Sequence, residues 1–289
     1  MIDRPEVPRA AAWIQENETL ISRRGHHIAF RRRGAGPPVL LLHGFPTWSY
    51  DYAAVAADLA SDHHVITLDF LGYGASDKPN PYDYSVAESA DTVEDLVTHL
   101  GVGSLRLVVH DYGGIVGQEL VDRANRGRLG FGIDGLVLMN SGIVYSAYRP
   151  TRLQRLLMLP VVGKLLAARI GAARVRSGLD AVRGSRLTDA EFDDLWLGMS
   201  RENGHRLAHR LIKYNAERAV HHRRWEAALA NWNGPLHLVW GLDDPVSGRH
   251  VLEQASKALP QARITELPGV GHYPQSEAPQ SVAAAVRSG

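Results

Sequence analysis

Short apolar runs recur along this chain at wide spacing, and the stretches between them change period. The runs lie at residues 39–42, 65–68, 105–109, 136–139, 236–240 and 263–267. Uninterrupted strands of this kind are buried on both faces. Helix-period stretches at 52–60, 86–100 and 115–124 stand between them. The alternation predicts an α/β protein with a mostly parallel sheet covered on both sides by helices. At 19–33 the pattern instead alternates around Arg24-Gly25, as an antiparallel hairpin does.

The strand–helix alternation stops after about Gly142 and resumes near Pro235. The intervening residues carry helical periodicity and few strand signals. Between Tyr145 and Trp225 basic residues outnumber acidic ones by about two to one. The reading is a helical cap at 145–222, inserted into a core made of 1–144 and 223–289. Within it, residues 153–170 (LQRLLMLPVVGKLLAARI) are the most apolar of the chain. Arg155, Pro160, Lys164 and Arg169 break this run, and a membrane span needs about 20 mostly apolar residues. A buried or half-buried helical segment is expected there.

The first twenty residues, MIDRPEVPRAAAWIQENETL, have no apolar core long enough for a signal peptide, so a cytoplasmic protein without a membrane span is expected. No solenoid-length repeat or low-complexity tract interrupts the chain. Its 289 residues suffice for one large domain with a sizeable insertion. A formal net charge of +1 implies no general attraction to nucleic acid. Cysteine is absent, which excludes disulfides and thiolate metal sites.

Residues 107–120 read LVVHDYGGIVGQEL: a strand, a tight turn, then a helix. In open α/β sheets such a turn presents a side chain at the carboxyl end of the strands, where ligands bind. Here that side chain is Asp111. Gly113 and Gly114 remove bulk where the turn is sharp. The helix that follows directs backbone N–H groups and a positive dipole end toward the carboxylate, which favours its ionised form. The competing reading is a plain helix cap, a frequent task for Asp.

Two further stretches bear on that choice. In LLLHGFPTWSYDY, residues 40–52, a strand runs straight into His43-Gly44-Phe45-Pro46 at the same sheet edge. The N–H groups of Phe45 and Tyr112 can then converge as an oxyanion hole; losing one such donor costs about 3–4 kcal/mol in characterised enzymes. Near the C-terminus, LVWGLDDPVS places Asp243 and Asp244 just past one strand, and ELPGVGHYPQSEAP places His272 past the next. The order Asp111, Asp244, His272 is that of nucleophile, acid and base in the α/β-hydrolase arrangement.

On these residues the chain resembles the α/β-hydrolase superfamily, within it the epoxide hydrolase and haloalkane dehalogenase group, from about Glu18 to Val286. HGFPTWSYDY, DFLGYGASDKP, VVHDYGG, WGLDDPV and GHYPQSEAP carry the resemblance, and HDYGGIVGQEL with the late HYPQ is similar to the mesoderm-specific transcript branch. One departure is Val109, where the family often has a small residue two before the nucleophile. The resemblance implies an α/β-hydrolase fold and Asp244 rather than Asp243 as the acid, because it stands directly before Pro245. An Asp nucleophile needs no base to ionise it and can attack saturated carbon, leaving an alkyl-enzyme ester. Water activated by His272 would then hydrolyse that ester. Neither cofactor nor metal is called for.

Epoxides and alkyl halides differ in how the departing atom is stabilised. In proteins this chain resembles, dehalogenases hold the halide largely with Trp indoles, whereas epoxide hydrolases protonate the oxygen from cap tyrosines. The halide-binding Trp after the nucleophile is Tyr112 here, the Asn after His-Gly is Phe45, and the Arg of fluoroacetate dehalogenases is also missing. The expectation is therefore an epoxide hydrolase acting on a small hydrophobic epoxide with water, as a monomer or homodimer. A haloalkane dehalogenase is the alternative, and a non-catalytic ligand-binding homologue stands behind both. Tyr214 is the preferred proton donor, with Tyr145 or Tyr148 as the second. His43, Trp48, His110 and Tyr273 complete the expected substrate-binding set.

Overall fold

The computed structural model describes residues 7–288. Residues 1–6 and 289, the outer ends of the expected core, and with them the start of the stretch read for a signal peptide, lie outside the described residues. Eight strands form one sheet: β1 (Glu18–Ile21), β2 (His27–Arg33), β3 (Pro38–Leu42), β4 (His64–Leu68), β5 (Ser104–His110), β6 (Gly132–Met139), β7 (Leu236–Gly241) and β8 (Arg263–Leu267). Their order is β1-β2-β4-β3-β5-β6-β7-β8. The hairpin β1–β2 and the pair β2–β4 are antiparallel; every other pair is parallel.

Helices α1 (Ala10–Gln15), α2 (Ala53–Leu59), α3 (Val86–His99) and α4 (Tyr112–Asn125) precede or separate the first strands. Between β6 and β7 come α5 (Arg152–Leu157), α6 (Pro160–Arg169), α7 (Ala172–Asp180), α8 (Asp189–Ser200), α9 (Ala208–Leu211) and α10 (Tyr214–Ala230). The chain closes with α11 (Arg249–Ala258), α12 (Pro274–Glu277) and α13 (Pro279–Arg287). Strand side chains alternate between faces. Accordingly Leu40 and Leu42 join α3, α4 and α10 in one apolar cluster, while Val39 and Leu41 join α1, α2 and α13 in the other.

Parallel register brings the strand ends to one edge. Leu42 pairs with Val109, His110 with Met139, and Met139 with Val239. The residues that leave the sheet next, His43, Asp111 and Asn140, therefore emerge side by side.

The insertion is helical because its starts are written locally. Thr151 with Gln154 and Thr188 with Glu191 form capping boxes, and Pro160 opens α6. Helix α10 runs without a break across residues 222 and 223. The basic run inside it is only partly solvated: Arg224 binds Glu119 at 2.7 Å and Asp122 at 2.5 Å, both on α4. Trp225 adds its indole N–H to Glu119 at 2.8 Å. Residues 153–170 are helical and half-buried, as expected. Leu157, Ala167 and Ile170 are buried, with α6 packed against α9, whereas Leu156, Leu159, Val161, Val162 and Leu165 on the outer side of α5 and α6 are exposed. Among the described residues no helix is long and apolar enough to cross a membrane.

Candidate active site

Asp111 sits between β5 and α4 at φ 44°, ψ −109°, a backbone conformation that side-chain-bearing residues rarely adopt. Its surroundings impose it. Ser141 Oγ donates to the Asp111 carbonyl at 2.8 Å, and Gly113 N–H donates to the His43 carbonyl at 3.0 Å. A β-carbon on Gly113 would collide with the Leu42 carbonyl oxygen, and one on Gly44 would stand 2.7 Å from the Asp111 β-carbon. Val109 is accommodated by the helix: it lies 3.2 Å from where a β-carbon on Gly117 would be, so α4 yields the missing space.

The simple cap reading fails here, since the Asp111 side chain makes no capping bond to the first turn's N2 or N3 amides. Instead Oδ2 accepts the Phe45 N–H at 2.9 Å, and the Tyr112 N–H also supports the carboxylate. Both expected oxyanion-hole amides thus converge on one small volume beside Asp111.

His272 Nδ1 meets Asp244 Oδ2 at 2.7 Å, and its Nε2 stands 3.8 Å from Asp111 Oδ1. Asp244 is further held by the Val246 N–H at 2.7 Å, the Ser247 hydroxyl at 2.7 Å and Asn140 Nδ2 at 3.0 Å. Asn140 also exchanges two bonds with the Gly241 backbone, tying the end of β6 to the end of β7. Asp243 is exposed and takes no part.

Electrostatics follow from this packing. Burial raises the Asp244 carboxyl, but the His272 charge and the hydrogen bonds from His272, Asn140 and Ser247 outweigh it, giving about 2. For His272 burial opposes the charge, yet Asp244 and then Asp111 lift it to about 9. Burial moves Asp111 upward, against His272, the Phe45 and Tyr112 amides and Arg218. Asp111, the His272 imidazole and Asp244 therefore stand in line, each acting on the others' charge.

Tyr148 and Tyr214 complete the enclosure. Both hydroxyl oxygens are buried and interact with each other, and neither makes a well-formed hydrogen bond among the described residues. Burial and then the Asp111 charge hold their protons on, while Arg218 favours release. The Arg218 guanidinium stacks 4.2 Å over the Tyr148 ring and donates to Asn215 Oδ1 and the Gly142 carbonyl. Tyr145 is elsewhere: it is 38% exposed and stacks on His222. A cavity of about 380 Å³ opens beside His272, lined there by Phe45, Tyr73 and Tyr273; its farther walls include Leu153, Leu157, Ile170, Val175, Met199 and Leu211, while Asp111, Tyr148 and Tyr214 are not among its walls.

Three expected substrate contacts do other work. His43 accepts the Phe70 N–H and donates to the Gly44 carbonyl, which locks the turn after β3. His110 is wholly buried between the His272 carbonyl at 2.6 Å and Gln275 at 3.1 Å. Trp48 gives its indole N–H to the Leu195 carbonyl at 3.1 Å and stacks on Tyr50, so it has no donor left for a halide. Of that set only Tyr273 lines the cavity. Conversely, Asn140, Ser141 and Arg218 belong to the site but were not anticipated. The polar pair Asn140-Ser141 at the end of an apolar strand was a usable signal; Arg218, in a basic helical stretch, offered none.

The parallel sheet, the elbow and the carboxylate–imidazole–carboxylate line define an α/β hydrolase, and the chain belongs to that family: the model of the α/β hydrolase fold matches residues 37–279. LipZ of Mycobacterium tuberculosis is 39% identical over 263 residues, covering 90% of this chain and 91% of its own. The human mesoderm-specific transcript homolog protein is 39% identical over 259 residues, 85% of this chain and 76% of that one. Among solved structures, haloalkane dehalogenase DbeA from Bradyrhizobium elkani superposes with a TM-score of 0.77 at 26% identity, covering 94% and 97% of the two chains.

Proposed function

We propose that this hydrolase opens a small hydrophobic epoxide to a vicinal diol through a covalent ester on Asp111. The helices between β6 and β7 act as a cap that supplies the proton donors. One observation carries the choice of substrate: the buried hydroxyls of Tyr148 and Tyr214, neither of which makes a well-formed hydrogen bond, face each other and share the Asp111 environment. An unpartnered buried hydroxyl is costly unless a ligand completes it. An epoxide oxygen, which departs as an alkoxide, does so.

An Asp111 oxygen attacks an epoxide carbon, the carbon–oxygen bond breaks, and a tyrosine proton moves to the departing oxygen. Forming the ester removes the Asp111 charge. That charge is one cause of the raised His272 value, so the imidazolium becomes more acidic and returns a proton to the tyrosinate. Neutral His272, held through Nδ1 by Asp244, then takes a proton from water, and hydroxide adds to the ester carbonyl. The oxyanion forms against the Phe45 and Tyr112 amides. Its collapse releases the diol and restores the carboxylate, and His272 ends protonated as it began.

Likeness to a haloalkane dehalogenase supports a second reading with the same nucleophile. Against it, Trp48 is committed to Leu195, and Phe45 and Tyr112 stand where halide-binding side chains are expected. The decisive experiment is one turnover of an aryl epoxide in heavy-oxygen water with enzyme in excess. The first diol should carry light oxygen and the label should enter Asp111. A labelled diol in that turnover would exclude the ester, and turnover of bromoalkanes alone would select the halide.

A further inference from the structure

Residues 145–179 contain seven Arg or Lys and no Asp or Glu. The same stretch carries the outer turn formed by α5 and α6, where Val161 is 71% exposed, Leu165 53% and Leu159 48%. Leu156, Met158 and Val162 extend this apolar surface. Around it Arg155, Lys164 and Arg169 are exposed, and none has an acidic partner among the described residues. Scattered exposed apolar side chains are ordinary; a contiguous group of them inside an acid-free basic segment is not.

From this juxtaposition we propose that the α5–α6 turn docks on an anionic lipid surface, with the apolar side chains entering the interface and the basic ones meeting the headgroups. Charge complementarity selects this occupant over a neutral apolar partner, because Arg155, Lys164 and Arg169, three positive groups around the turn without an acidic partner among the described residues, would repel one another in a purely apolar contact. Position gives the contact a use. Leu153, Leu157 and Ile170, in or beside the same turn, line the cavity that leads to His272. A membrane under this face would abut the walls of the apolar cavity, where hydrophobic substrates partition. That use rests on the proposed epoxide chemistry; the docking itself does not.

The test is co-flotation of the full chain with vesicles of phosphatidylcholine alone and of phosphatidylcholine mixed with phosphatidylglycerol, at low and high salt. Binding should favour the anionic vesicles at least about tenfold and fall at high salt. Each surface charge contributes about fivefold, so Arg155→Gln with Lys164→Gln should weaken binding about 25-fold. Val161→Glu with Leu165→Glu should weaken it more than about tenfold. Thermal unfolding of both variants should match the parent, which separates lost docking from lost folding. Equal binding to both vesicle types, or variants that float like the parent, would overturn the proposal. So would self-association without vesicles that Val161→Glu with Leu165→Glu abolishes, since the face would then belong to a second copy.

Discussion

Replacing Asp244 with Asn separates the two chemical steps. The substitution keeps the shape of a side chain held by Asn140, Ser247 and the Val246 N–H, and deletes its charge. Two views of the ion pair give its size. The carboxyl stands at about 2 against an ordinary 3.8, equivalent to about 2 kcal/mol, and the imidazole at about 9 against 6.5, about 3 kcal/mol. They describe one interaction and are counted once. Without that charge, burial governs His272 and its value falls. The imidazole also loses the acceptor that fixes Nδ1–H toward Asp244 and leaves Nε2 free to act as base. Nucleophilic attack by Asp111 needs neither, whereas ester hydrolysis needs both. Hydrolysis should slow about a thousandfold to ten-thousandfold while esterification persists. Intact-protein mass spectrometry after mixing with an epoxide should then show one added substrate mass, located by peptide mapping at Asp111. Turnover at the parental rate, or a slowed first step with no adduct, would refute the assigned roles.

Tyr214→Phe and Tyr148→Phe should each lower kcat/KM on epoxides by about ten- to a thousandfold and the double variant should approach inactivity, as stopped-flow assays would show. Neither should cost more than about 0.5 kcal/mol of stability, because each removes a hydroxyl that makes no well-formed hydrogen bond. Asp51 is buried and pushed up to about 7, mainly by burial. Since this folded value exceeds the unfolded one, its favourable contribution exists at low pH and is lost as pH rises from about 4 through 7. Asp51→Asn should therefore stabilise the protein by up to about 4 kcal/mol above pH 7, less the Thr47 bond, and by little at pH 4, as urea melts at both values would reveal. His272 has the same sign in its own window: its raised value stabilises fully below pH 6.5 and is lost as pH rises toward 9. Gly113→Ala should abolish activity and cost several kcal/mol, because its methyl group would displace the Leu42 carbonyl.

The strands, most of the core helices and the order Asp111, Asp244, His272 were legible in the sequence for a common reason. Each is written locally, as an apolar run, a period of 3.6, or a strand followed by a turn residue. The hairpin at Gly25 was readable likewise, since a glycine at φ 82° leaves a local mark. Helices α11 and α13 were not marked, although each carries an apolar face.

What the chain's local pattern left undecided depends on distance across the fold. Tyr145 and Tyr148 lie three residues apart in an irregular segment, so no period chooses between them; only the packing of Arg218 and α10 turns Tyr148 inward and leaves Tyr145 on His222. His43, Trp48 and His110 looked like site residues by adjacency, yet backbone groups from remote elements claim their polar atoms. Asn140 gains its place because the register of β6 with β7 brings it to Gly241 and Asp244. Helices α5 and α6 read as buried or half-buried by composition, and only the fold decides which side is covered: Leu157 and Ala167 face the core while Val161 and Leu165 stay exposed. Composition and period determine which elements form and which face each one buries. Register and packing between distant elements decide which side chains meet, since that depends on partners the local sequence does not contain.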